Sequence, residues 1–178
     1  IFSDFNYGAL PQDLVDEISQ ECIKRGIMMV ADSQSSSQVG DVSRFKNMIL
    51  LTPTEREARL ALSNYEDGLV VLAEALRHKT NTLNIAITLG SEGVLIHGAS
   101  SDGKKWLTDR IPTLNTSPKD TAGAGDCLLV TTAMALALGC SIWESLYMGS
   151  VSAACQVGRI GNIPLTADEL RVEFLKKV

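Results

Sequence analysis

The chain has 178 residues, 45% of them apolar and 21% charged, enough to bury the core of one domain and too apolar for a disordered chain. Lys and Arg number 16 against 21 Asp and Glu, a net charge of −5 that argues against binding nucleic acid or an anionic membrane, since both call for a basic face. The longest nearly apolar stretch, Cys127 to Cys140, is too short to span a bilayer and is broken by Thr131 and Thr132.

Residues 11–25 open on Pro11 and set Leu14, Val15, Ile18 and Cys22 at helical spacing, which predicts an amphipathic helix stopped by Gly26. Ile27 to Ala31 is a short unbroken apolar run, the pattern of a strand buried on both faces. Residues 33–44 are rich in Ser, Gln and Gly and predict a loop. Its Ser35-Ser36-Ser37 run reads most simply as solvated, although it falls at a strand's C-terminal edge, where α/β sheets bind ligands. Met48 to Leu51 is a second buried strand, ended by Thr52-Pro53. Thr54 and Glu57 have the spacing of a capping box, and another helix covers about 67–79.

Leu83 to Thr88 and Val94 to His97 are strands joined by a glycine-rich turn, Leu89 to Gly93. Residues 99–119 are polar, with Trp106, Leu107 and Ile111 as an edge strand. Helices are predicted over about 124–138, 142–157 and from Thr166 onward. The run Leu128, Leu129, Ala133, Met134, Ala135, Leu136, Ala137 is apolar almost all round and predicts a fully buried helix. Strand and helix alternate in the first half, which implies right-handed crossovers and a mostly parallel sheet with helices on both faces. The class is α/β, in one domain. Four cysteines (Cys22, Cys127, Cys140, Cys155) lack metal-ligand spacing and fall in apolar helical segments, so reduced, buried thiols and a cytoplasmic setting are expected. His78 and His97 have no metal partner at ligand spacing and read as structural, and Trp106 and Trp143 read as packing residues.

Asp120-Thr121-Ala122-Gly123-Ala124-Gly125-Asp126 carries the most chemical information. Two glycines flank an alanine where a polar loop enters a long helix, whose first turn has unpaired N–H groups and a positive dipole end. Glycine admits a ligand close to that backbone, so the segment is built to hold an anion. Asp126 lies in the same turn. It is either a base beside the anion or a carboxylate that complements the helix dipole, and the spacing leaves both open. Neither a dinucleotide-binding G-x-G-x-x-G nor a G-K-[ST] phosphate loop is present. Cys127 has no histidine close in sequence to activate it and reads as an inert helical thiol.

The same seven residues resemble the D-T-x-G-A-G-D signature of the ribokinase-like carbohydrate kinases. Thr54-Glu55-Arg56-Glu57 is similar to that family's N-x-x-E element, and Thr88 to Gly93 to its T-x-G-x-x-G nucleotide turn. Ser3 to Leu10 and Val157 to Gly161 look most like the heptose-phosphate kinase part of bacterial ADP-heptose synthases. The resemblance implies a three-layer α/β fold, of which residues 1–178 are the C-terminal part. The N-terminal part, with most sugar contacts and a small lid sheet, would lie outside these residues, and without it sugar binding should be poor. It further implies phosphoryl transfer from ATP, with Mg²⁺, to a sugar or sugar-phosphate hydroxyl. Asp126 would take the hydroxyl proton, and the amides of Gly123, Ala124 and Gly125 would hold the charge developing on the phosphoryl group. Glu57 would help organise Mg²⁺ through water, beside Thr54. Thr88, Gly90 and Gly93 would line the nucleotide, and Ser150 falls where an adenine-side Asn is frequent. A second copy or a fused nucleotidyltransferase domain would be the partner.

Several positions depart from that pattern: Tyr7 where a lysine is common, Asp32-Ser33-Gln34 for Asp-Pro-Lys, Thr54 for Asn, and Thr131 for a small residue. Two positive charges are thereby missing near the phosphates, each worth about 1.5–3 kcal/mol as a charge-assisted hydrogen bond. They favour a second reading, a nucleotide-binding pseudokinase with a regulatory or scaffolding role. Asp126 and its glycines favour the kinase.

Overall fold

Phe2–Asp4 (β1), Val30–Ser33 (β2), Leu50–Leu51 (β3) and Asn84–Thr88 (β4) pair in parallel, each with the next in sequence. Parallel neighbours need crossovers. Gln12–Lys24 (α1) lies between β1 and β2, and Glu55–Leu62 (α2) and Leu69–Thr80 (α3) lie between β3 and β4. Val94–Ala99 (β5) and Trp106–Ile111 (β6) extend the sheet, in the order β1-β2-β3-β4-β5-β6. Ala124–Ala137 (α4), Ile142–Val157 (α5) and Ala167–Lys177 (α6) follow. The structure is a computed structural model that describes residues 1–35, 38–100 and 105–177. Ser36 and Ser37 of the serine run lie outside the described residues.

The chain divides into two compact units, Ile1–Leu89 with Leu95–Arg110, and Gly90–Val94 with Ile111–Val178. In the first, Phe2, Val15, Ala31, Phe45, Leu51, Leu72, Leu76, Ile85 and Ile87 belong to one buried cluster. Fully burying each large aliphatic or aromatic side chain there contributes about 1.5–3 kcal/mol. From α1 only Val15 reaches burial, while Leu14 and Ile18 stay partly exposed.

Three expectations need correction. The strand foreseen at Ile27–Ala31 is observed at Val30–Ser33. The shift has a local cause: Gly26 turns at φ 64°, and the Ile27 N–H closes on the Cys22 carbonyl at 2.9 Å, so Ile27 finishes the cap of α1 instead of starting β2. Among the described residues Cys22, Cys127, Cys140 and Cys155 form no disulfide, and each is only half-buried. Cys140 is outside the helices, and its N–H caps α4 on the Ala135 carbonyl at 3.1 Å.

The third correction concerns α4, foreseen as buried on all sides. Leu128, Leu129, Thr132, Ala133 and Ala135 are buried, but Val130, Met134 and Leu138 form an exposed stripe. α4 packs on α5 within the second unit. Gly149 makes the approach possible, because a Cβ there would overlap Thr132 Oγ1 and press on the Leu128 carbonyl. Among the described residues, no helix is long and apolar enough to cross a membrane.

Candidate active site

In the second unit, the backbone enters α4 through a pinned loop. The N–H groups of Lys119 and Asp120 donate to the Val157 carbonyl at 2.7 and 3.3 Å. Asp120 then accepts from Ala122 N–H through Oδ1 and from Gly161 N–H through Oδ2, both at 3.0 Å. These bonds, Ala122's first, hold its carboxyl below the usual range. Gly123 is the N-cap at φ 77°, a left-handed conformation that disfavours side chains. A Cβ at Gly123 would overlap Asn162 Oδ1, whereas one at Gly125 would meet nothing within 4 Å.

The Ala124 N–H bonds to the Thr121 carbonyl at 3.3 Å, while the N–H groups of Gly123 and Gly125 have no acceptor among the described residues. Asp126 is half-buried in the first turn, one residue beyond Gly125. The neighbouring Cys127 thiol is pushed up by burial, so it stays protonated, as its sequence context implied.

Gly90 and Gly93 belong to the same unit. Both have positive φ, 58° and 97°, and Gly93 N–H bonds to the Gly90 carbonyl at 3.1 Å. A Cβ on Gly93 would overlap the backbone of Ile111 and Pro112, so its glycine already answers to the close passage of that segment. Ser150 sits on α5 with its hydroxyl buried and without a partner among the described residues. A cleft of about 480 Å³ lies further along α5, between Asn115, Cys155, Arg159 and Glu173, and Ser150 does not line it.

The first unit gathers Thr54, Glu57 and Thr88. Thr54 Oγ1 accepts from Glu57 N–H at 3.2 Å while Glu57 Oε2 accepts from Thr54 N–H at 2.8 Å, the capping box foreseen from the spacing. Thr54 also bridges to Thr88, whose N–H bonds to the Pro53 carbonyl at 2.8 Å. Glu57 is 7% exposed, and its Oε1 accepts from Ser35 N–H at 2.7 Å. Both carboxylate oxygens therefore hold backbone. No group of three or more His, Cys, Asp or Glu among the described residues could hold a metal ion.

Where the resemblance led one to look for lysines, the ends of β1 and β2 are organised by Asn6 and Arg44. Asp4 Oδ2 accepts from Arg44 Nη2 at 2.7 Å, and the Asn6 amide donates to Ser33 Oγ at 3.1 Å and to the Gln34 carbonyl. Tyr7 is 70% exposed. Asn6, Arg44, Gln156 and Asn162 escaped the sequence reading. Gln156 had left one signal, an amide in the last turn of an apolar helix.

The family model for pfkB family carbohydrate kinases matches residues 2–168. The chain belongs to that family. Curated relatives of this pfkB-family chain include the bifunctional protein HldE of Sulfurimonas denitrificans, 31% identical over 173 residues, 96% of this chain and 34% of that protein. HldE of Campylobacter fetus is also 31% identical over 173 residues, covering 96% of this chain and 35% of its own. The chain thus spans about a third of the length of these relatives. Among solved structures, ribokinase from Thermotoga maritima is 25% identical with a TM-score of 0.70, covering 89% of this chain and 53% of that one. Phosphofructokinase-2 from Escherichia coli is 16% identical with a TM-score of 0.76, covering 93% and 52%. The ribokinase-like α/β fold is therefore established.

Proposed function

We propose that residues 1–178 form the C-terminal, nucleotide-side part of a carbohydrate kinase domain. The reaction is transfer of the γ-phosphoryl group of ATP to a hydroxyl of a sugar phosphate, of the heptose 7-phosphate 1-kinase type. The observation that carries this reading is the start of α4. Two glycine amides without acceptors among the described residues, and open space at Gly125, stand one and three residues from the carboxylate of Asp126. Family membership and the similarity to HldE support it, as does the solved ribokinase of Arabidopsis thaliana, described with ribose and ATP, at 21% identity and a TM-score of 0.74.

Asp126 accepts the hydroxyl proton as the sugar oxygen bonds to the γ-phosphorus. The bond from that phosphorus to the β,γ-bridging oxygen breaks, and its electron pair leaves with ADP. The Gly123 and Gly125 amides stabilise the charge that gathers on the phosphoryl oxygens, where one lost donor costs about 3–4 kcal/mol. Ala124 contributes less, since its N–H already has the Thr121 carbonyl. Magnesium, when it accompanies the nucleotide, neutralises phosphate charge. Glu57 would reach such an ion only through water, because both of its oxygens are engaged by backbone N–H groups. Thr54, Thr88, Gly90, Gly93 and Ser150 are assigned to the nucleotide by the resemblance.

The test is ADP release by the full-length protein over a panel of sugars and sugar phosphates. Turnover with heptose 7-phosphate above that with free hexoses is expected. No release above background with any acceptor would refute the kinase reading.

A further inference from the structure

Gln156 lies in the last turn of α5 and is 1% exposed. A buried amide must find partners or destabilise the fold. Its Nε2 faces the Ala122 carbonyl at 3.3 Å, the Gly161 carbonyl at 3.4 Å and Asn162 Oδ1 at 3.5 Å. The N–H groups of the same two residues, Ala122 and Gly161, are those that Asp120 accepts. Both polar groups of Ala122 are thus held, the N–H by Asp120 and the C=O by Gln156.

That C=O shares a peptide plane with the Gly123 N–H. In a trans peptide the two point in opposite directions, so fixing the carbonyl on Gln156 turns the Gly123 N–H away from α5. Backbone sterics do not fix this direction, because glycine at φ 77° lets the peptide before it rotate. The other end of Gln156 points to the same role: Oε1 is buried and has no partner among the described residues. A side chain kept for packing or stability gains nothing from an unbonded oxygen. One kept for its donor end tolerates that cost.

We infer that Gln156 is a positioning residue, which aims the Gly123 amide of the phosphoryl cradle by holding the Ala122 carbonyl. The inference rests on the kinase reading proposed above. Gln156→Met keeps the length of the side chain and removes both the donor and the unbonded oxygen. In the full-length protein it should lower kcat by about 10- to 100-fold, less than outright loss of a cradle donor, with KM for the sugar phosphate nearly unchanged. Its melting temperature should stay level or rise. A crystal structure of the variant should show the Ala122–Gly123 peptide rotated. A kcat within about twofold of wild type, or an unrotated peptide, overturns the inference. Should the wild-type protein phosphorylate no sugar, the kinase reading falls, and the orientation of that peptide in the variant still decides the role of Gln156.

Discussion

The two glycines of the cradle answer to different constraints. Gly123 is required by its own conformation and by Asn162, which occupies the place of its Cβ, whereas Gly125 keeps an approach open. Gly123→Ala should therefore lower stability, by about 1–2 kcal/mol for the left-handed conformation alone, as thermal melting would show. Gly125→Val should leave the melting temperature close to wild type and raise the ATP KM while lowering kcat, since the new side chain enters the space in front of the amides. The sequence showed that this loop has glycines at a helix start but not which one is conformational, because φ and the position of Asn162 depend on the loop after α5. Glu57 was legible from spacing alone, since a capping box is local. Its bond to Ser35 was not, because residues 22 apart meet only through the sheet.

At the scale of elements, α3 is tied to β5 and β6 by side chains rather than by propensity. Glu74 accepts from Arg77 Nε at 2.7 Å and is joined to His97 Nε2 at 2.7 Å, while His97 Nδ1 meets Thr108 Oγ1 at 2.8 Å. Trp106 stacks with His97, and the Arg77 guanidinium lies 3.7 Å over its ring, which gives His97 and Trp106 the structural roles read from sequence. The Arg77 hydrogen bond above all brings the Glu74 carboxyl from 4.5 down to about 2. A depressed carboxylate stabilises the fold above its unfolded pKa and loses that contribution as pH falls through the folded value. Stability should thus fall between about pH 4.5 and 2, and Glu74→Gln should flatten that part of a melting-temperature profile. Strongly periodic elements were legible, α5 at 142–157 to the residue. The β2 start was misjudged because a helix cap consumed Ile27, and the exposed stripe of α4 because an all-apolar helix conceals which side faces outward.

On the scale of the whole molecule, the sequence motifs lie in two compact units, Thr54, Glu57 and Thr88 in one and Gly123 to Asp126 in the other. The chain covers 52–53% of the ribokinase and phosphofructokinase-2 chains and about a third of its HldE relatives, so the kinetic tests belong to the full-length protein. With a net charge of −5, the proposed anion binding falls to local backbone amides rather than to a basic surface. The account turns on whether Asp126 is a base or only complements the α4 dipole, and steady-state kinetics of Asp126→Asn beside its thermal melting separates the two. A general base contributes about 10²–10⁴-fold, whereas a dipole partner is worth about 0.3–1 kcal/mol of stability and no rate. The prediction is a kcat lowered by at least about 100-fold with an ATP KM unchanged or lower, because a negative charge beside the phosphates has gone. Near-normal kcat with an unchanged ATP KM would contradict the mechanism and leave Asp126 as a helix-capping charge.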